Sequence, residues 1–117
     1  MLDFQRLDVY QAALDLLAEA LVVADGIPVG YRGIADQLKR ASVSIPLNIA
    51  EAMGRGGRDD RRRFVTIARG SAMETGALFD VIDRLSQTGQ RPSPHARDLV
   101  TRVVSMLTRL GAGSSSW

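Results

Sequence analysis

The sequence predicts an all-α protein, an antiparallel up-and-down four-helix bundle, and three observations support that prediction. Apolar residues recur at spacings of three and four in four segments, and no segment alternates apolar and polar residues for long. Glycine and proline limit the segments and leave short connections, which favour antiparallel neighbours. The 117 residues, 45% hydrophobic and 24% charged, suit one soluble domain with one core.

The first two helices are predicted over residues 8–24 and 32–53. Asp8 is the expected N-cap of the first helix, and Gly26 ends it. Pro46 lies inside the second helix, where it removes an amide donor and crowds the preceding turn. The sequence therefore predicts a second helix that is kinked at this proline.

The third and fourth helices are predicted over residues 59–87 and 94–110. Two glycines, Gly70 and Gly76, stand inside the third helix, where each costs about 1 kcal/mol relative to alanine. We expect another helix to approach closely at both positions. The apolar period of the third helix includes Phe64, Ile67, Ala68, Ser71, Leu78, Val81, Ile82 and Leu85.

The chain is expected to form a single domain over residues 1–110, followed by a flexible tail over 111–117 that ends in Trp117. It has no apolar run near the roughly 20 residues of a membrane span, and its first residues lack the apolar core of a signal peptide. We therefore expect a cytoplasmic protein without a membrane partner.

Polar residues recur at helical spacing within the second and third helices. If these helices pair antiparallel, Arg63 would approach Glu51, and Glu74 would approach Arg40. Such a network would fix the register of the two helices. The predicted network consists of Arg40, Ser44, Asn48, Glu51, Arg63, Ser71 and Glu74.

Charge is distributed unevenly along the chain. Residues 1–31 hold one arginine and five acids, whereas residues 32–69 hold nine lysines or arginines and four acids. Arginine can donate two hydrogen bonds to one phosphate or carboxylate, so the pattern indicates an anionic partner or association between opposite patches of two copies. The candidate nucleic-acid-binding residues are Arg55, Arg58, Arg61, Arg62 and Arg69.

Nothing in the sequence points to catalysis. The absence of cysteine excludes thiolate chemistry, and the single histidine, His95, is distant in sequence from the polar network. No metal-ligand or phosphate-loop motif is present, so no metal, no cofactor and no enzymatic activity are expected. An enzyme or small-ligand site using Glu51 and Glu74 is the least favoured alternative.

Four stretches of the sequence are distinctive: FQRLDVYQAA (residues 4–13), QLKRASVSIPLNIAE (37–51), RF (63–64) and ARGSAME (68–74). In these stretches the chain resembles the four-helix-bundle 23S rRNA intervening-sequence proteins. The resemblance covers about residues 4 to 85 and matches the fourth helix only in pattern.

The resemblance implies a bacterial four-helix bundle that assembles as a ring-shaped homopentamer and whose biochemical role is unassigned. A similar protein, the accessory variability determinant of diversity-generating retroelements, binds nucleic acid and a partner reverse transcriptase. Two functions are therefore considered. One is an oligomer that binds structured RNA, or DNA, through the arginine-rich patch. The other is a scaffold for a protein partner encoded nearby, for example a reverse transcriptase.

Overall fold

The computed structural model describes residues 2–85 and 91–112, and this part of the chain contains four α-helices and no strand. One-turn 3-10 helices, Asp3–Arg6 and Val29–Tyr31, precede the first and second α-helices. The predicted all-α fold is confirmed. The helices are α1 (Asp8–Asp25), α2 (Arg32–Met53), α3 (Arg58–Leu85) and α4 (Pro94–Gly111).

The four helices form a bundle in which each helix packs on two neighbours. α1 contacts α2 and α4, and α3 contacts the same two helices, with the most extensive packing between α2 and α3. Since successive helices alternate in direction, α1 and α3 lie diagonally across the bundle and run the same way. None of the helices in the described ranges is both long and apolar enough to cross a membrane.

The helix ends differ from the prediction at several points. α1 begins at Asp8, but its N-cap is Leu7, because the 3-10 turn before it leaves Leu7 in an extended conformation. The prediction of Asp8 as N-cap is therefore wrong. At α4 the cap is Ser93, whose hydroxyl accepts a hydrogen bond of 3.0 Å from the Ala96 amide. The predicted end of the third helix at Gln87 and the end of the tail at Trp117 lie outside the described residues.

Pro46 lies within an uninterrupted α2, and it is buried. The helix reaches Met53, as expected, and Gly54 follows as its C-cap. The kink at Pro46 stays a prediction.

The core is built largely from small side chains, which lets the helices approach closely. Among the residues that the structure describes, 24 hydrophobic residues are buried, and ten of them are alanines. At Gly76 of α3, an added Cβ would lie 3.1 Å from Val100 Cγ1 of α4, which confirms the expected close approach there. At Gly70 an added Cβ would meet nothing within 4 Å. No described helix of the chain therefore approaches this glycine, and the expectation of a close approach is wrong at this position.

The apolar residues that follow the helical period of α3 are not all buried. Ile67, Val81 and Leu85 are 41%, 43% and 36% exposed. The core is instead supplied by residues that lie roughly a third of a turn away, among them Ala72 and Phe79. The sequence alone does not distinguish these exposed apolar residues of α3 from its core residues, because both sets repeat every three or four residues.

Phe79→Ala should lower the free energy of unfolding by about 3–5 kcal/mol, because the ring is fully buried and its loss leaves a cavity. Urea unfolding followed by circular dichroism measures this change. Leu2→Ala is the control, since Leu2 is 63% exposed and its truncation should change stability by less than about 0.5 kcal/mol. Equal losses in the two variants would contradict the assignment of Phe79 to the core.

Candidate nucleic-acid interface

The turn between α2 and α3 is held by arginine side chains. Arg61 donates a hydrogen bond of 2.7 Å from Nε to the backbone carbonyl of Arg55. Arg55 forms an ion pair of 3.6 Å with Glu51, and its guanidinium carbon lies 4.7 Å from the centre of the Phe64 ring. Two of the five predicted binding arginines are therefore engaged in shaping the turn.

A second guanidinium contacts the Phe64 ring. Arg63 lies 4.6 Å from the ring centre and pairs with Asp60 at 3.5 Å. Contacts of this kind contribute about 0.5–1 kcal/mol at exposed sites. The half-buried Phe64 ring therefore packs against the core and also contacts two arginines beside the turn.

Arg58, Arg62 and Arg69 share one face of α3, since spacings of four and seven residues return to the same side of a helix. Arg69 donates from Nε to the Thr108 hydroxyl at 2.8 Å, which places this face beside α4. Arg58 and Arg62 are exposed, and neither makes a hydrogen bond or ion pair within the described residues. We call Arg58, Arg62 and Arg69 the cation face.

α4 adds exposed cations that were not among the predicted binding residues. Arg109 lies in the last turn of α4, next to Thr108, and is exposed. Arg102, seven residues earlier on the same side of α4, is also exposed. The signal for Arg109 was available in the sequence, because basic residues in a last helical turn are favoured by the macrodipole.

The predicted polar network forms only at its centre. Ser71 donates a hydrogen bond of 2.9 Å to the Ser44 hydroxyl and so links α3 to α2. Asn48 donates to the same hydroxyl at 2.9 Å and to the Ser44 carbonyl at 2.8 Å. These three half-buried residues join the two helices midway along their length.

The outer members of that network do not meet as predicted. Glu51 pairs with Arg55 and Arg63 pairs with Asp60, so the expected Arg63–Glu51 pair is wrong. Arg40 and Glu74 are exposed, and they make no ion pair within the described residues. Pairs three or four residues apart on one helix form at a lower entropic cost than pairs that must bridge two helices.

An ion-pair cluster that the sequence did not suggest joins α3 to α4 at the opposite end. Arg97 donates to Asp80 at 2.9 Å, and it also donates to Asp83. Hydrogen bonds to Asp80 and Asp83 raise the pKa of Arg97. Because both carboxylates are occupied by one guanidinium, this cluster supports the packing of the helices.

The geometry suits anion recognition better than metal binding. In the described part of the chain, no three His, Asp or Glu side chains come close enough to hold a metal ion. The stretch from Glu51 to Arg69 carries six arginines and three acids, and two of its exposed arginines are unpaired within the described ranges. Fold and site together define a basic antiparallel four-helix-bundle protein.

The chain belongs to a known family of such bundles. It matches the 23S rRNA-intervening sequence protein family over residues 5–109. It is also similar in structure to a protein with unknown function from the S23 ribosomal protein family of Bacteroides thetaiotaomicron, with a TM-score of 0.76 and 20% identity over 88% of this chain and 97% of that chain. No match was found among curated proteins.

Arg61→Ala should lower the free energy of unfolding by about 1 kcal/mol, because it removes a charged donor from the Arg55 carbonyl in the turn. Arg62→Ala is a matched control one residue away and should change stability by less than about 0.5 kcal/mol. Thermal and urea unfolding measure both variants. A larger loss in the Arg62 variant would contradict this division between turn and surface arginines.

Proposed function

We propose that this protein is a non-enzymatic, homo-oligomeric nucleic-acid-binding protein of the bacterial cytoplasm, and that its cation face contacts structured RNA. The observation that supports this most directly is the alignment of Arg58, Arg62 and Arg69 on one side of α3. Arg58 and Arg62 have no carboxylate partner in the described residues. They are therefore free to exchange water and counterions for phosphate oxygens.

The arginines of this surface are suited to contacts with phosphate groups. A guanidinium forks onto two phosphate oxygens, and the contact carries no information about base sequence. Arg69 reaches the Thr108 hydroxyl of α4, so the positive surface borders a second helix. Such a surface favours recognition of a folded phosphate backbone, and structured RNA is the first ligand to test.

Assembly would strengthen this binding. A single cation face offers few phosphate contacts, and each is weakened by salt. A ring of copies, which we propose to be a pentamer, would present several faces to one RNA molecule. Linked faces raise the effective concentration of every contact after the first, and avidity then exceeds the affinity of one chain.

A protein partner is the second candidate function. It is favoured by exposed apolar side chains on α1 and α3, among them Val22 and Val81, which are 56% and 43% exposed. Apolar residues on a surface often mark protein contacts. A reverse transcriptase encoded nearby would be one such partner.

Removal of the two unpaired arginines tests the nucleic-acid proposal. The double variant Arg58→Ala/Arg62→Ala should bind a fluorescent RNA hairpin at least about ten-fold more weakly at low salt, and its dependence on salt should be shallower. Fluorescence anisotropy of nuclease-treated protein across a salt series measures both quantities. A DNA duplex and a single strand, titrated in parallel, establish which nucleic acid is preferred.

The matched control is Arg32→Ala/Lys39→Ala, which removes the same charge from exposed positions at the opposite end of α2. This control should retain most of the affinity of the wild-type protein. If the two double variants weaken binding equally, net charge rather than the cation face is responsible. If wild-type protein fails to bind at about 50 mM salt, the nucleic-acid proposal is wrong.

A further inference from the structure

A shallow groove lies between α3 and α4, beyond the end of the cation face. Its volume is about 240 Å³, and Asp80 and Thr101 are exposed on its rim. This volume is below the roughly 300–1,000 Å³ of pockets that enclose a drug-sized ligand, so the groove suits a single ring system. We call it the α3–α4 groove, and its lining residues are Gly76, Phe79, Asp80, Arg97, Val100 and Thr101.

The α3–α4 groove continues the line of the cation face. Arg69, Met73 and Gly76 are separated by four and three residues, so they lie on one side of α3. Arg69 donates to Thr108 of α4. An added Cβ on Gly76 would lie 3.1 Å from Val100, so this side of α3 follows the boundary with α4. The rise from Arg69 to Gly76 is about 10.5 Å, which lets a strand bound at Arg69 bring a nearby nucleotide to the groove.

Met73 adds an apolar side chain between the cation face and the groove. It is 51% exposed. The two contacts between α3 and α4 on either side of it place Met73 level with Val104, which is half-buried. A thioether offers nothing to a phosphate, whereas it packs well against an aromatic ring such as a base. The boundary between the helices therefore changes from a phosphate-binding surface to one that suits a base.

The charges on the rim also favour a base over a phosphate. Arg97 donates to Asp80 and to Asp83, so two carboxylates and one guanidinium leave one net negative charge beside the groove. This charge repels a phosphate group.

Asp80 is the group on the rim that can recognise a base. Its side chain is 73% exposed, and within the described residues Arg97 donates to only one of its oxygens, Oδ1. An ionised carboxylate only accepts hydrogen bonds. Asp80 therefore suits the exocyclic amino group of cytosine, adenine or guanine, a group that uracil lacks.

We propose that the α3–α4 groove binds an unpaired, amino-bearing nucleobase of the RNA whose backbone contacts the cation face. This inference rests on the nucleic-acid binding proposed above, and it names the part of the RNA that is recognised. Phosphate contacts position an RNA without reading it, whereas an unpaired base in a bulge or loop can leave the stack and enter a protein site. The protein should therefore prefer a bulged hairpin to a fully paired one.

Three RNA hairpins that differ by one nucleotide test this preference. One is fully paired, one carries a single bulged cytosine, and one carries a bulged uracil at the same place. Fluorescence anisotropy of nuclease-treated protein at one fixed salt concentration measures the three affinities. Wild-type protein should bind the bulged-cytosine hairpin at least about five-fold more tightly than the paired hairpin, with the bulged-uracil hairpin between them.

Asp80→Ala separates the base contact from the effect of charge. It should weaken binding of the bulged-cytosine hairpin at least about five-fold, because the acceptor is lost. Binding of the paired hairpin should be unchanged or tighter, because a negative charge is removed. Asp15→Ala is the matched control, since Asp15 is an exposed acid of α1, and it should weaken neither complex. Arg97 keeps Asp83 as its partner in the Asp80 variant, and an unfolding curve confirms that the variant is folded.

Met73→Ala is a second test that leaves the charge unchanged. It should reduce the preference for the bulged-cytosine hairpin by about two-fold or more, because the base loses an apolar contact. Binding of the paired hairpin should stay the same. Val22→Ala is its control, because Val22 is a 56% exposed apolar residue of α1.

The contrary outcomes are separable. A wild-type protein that binds none of the hairpins would overturn the nucleic-acid proposal and this inference with it. Equal binding of the paired and bulged hairpins would overturn the groove alone and leave the phosphate contacts in place. A preference for bulged hairpins that persists in both Asp80→Ala and Met73→Ala would show that the RNA is recognised elsewhere, for example through the flexibility of the bulge, and would also overturn the groove.

Discussion

The antiparallel pairing of α2 and α3 is the constraint on which the other features depend. Only residues 54–57 separate the two helices. Arg61 stabilises this turn by donating a hydrogen bond to the backbone carbonyl of Arg55. Midway along the pair, Ser71 donates to Ser44, so the rotation of α3 about its axis is fixed as well. That rotation decides which residues of α3 face the core, which face the α4 side and which remain uncovered. The arginine-rich turn therefore stabilises the pairing of α2 and α3, independently of any ligand that it binds.

Small side chains make this arrangement compact, and they also explain why the polar residues within it are tolerated. With so many alanines in the core, the helices come close enough that Gly76 is needed beside Val100. Two hydroxyls in the described part of the chain, those of Ser42 and Thr75, are fully buried. Each donates to a carbonyl one turn earlier in its own helix, at 2.7 Å and 2.9 Å. A hydroxyl satisfied in this way does not require a partner from the facing helix. The core thus depends on close packing rather than on a polar network.

The sequence predicted the local features of the fold well and the pairing of side chains poorly. Glycine and proline limit the helices, so the bounds of α2 could be predicted without error. The choice of partner for Glu51 could not, because a neighbour four residues away on the same chain competes with any residue across the turn. The uncovered stripe containing Ile67 was missed for a different reason: its spacing is identical to that of a core stripe, and only packing reveals which one is covered.

The position of the two surfaces on α3 has a consequence for how assembly and binding are related. The cation face adjoins α4 through the contact between Arg69 and Thr108, whereas the uncovered apolar residues lie on another side of the same helix. If the cation face binds RNA as proposed, a neighbouring copy that covered the apolar side would leave Arg58 and Arg62 in contact with solvent. Each chain of such an oligomer would keep its own phosphate contacts, so dissociation should weaken RNA binding through lost avidity.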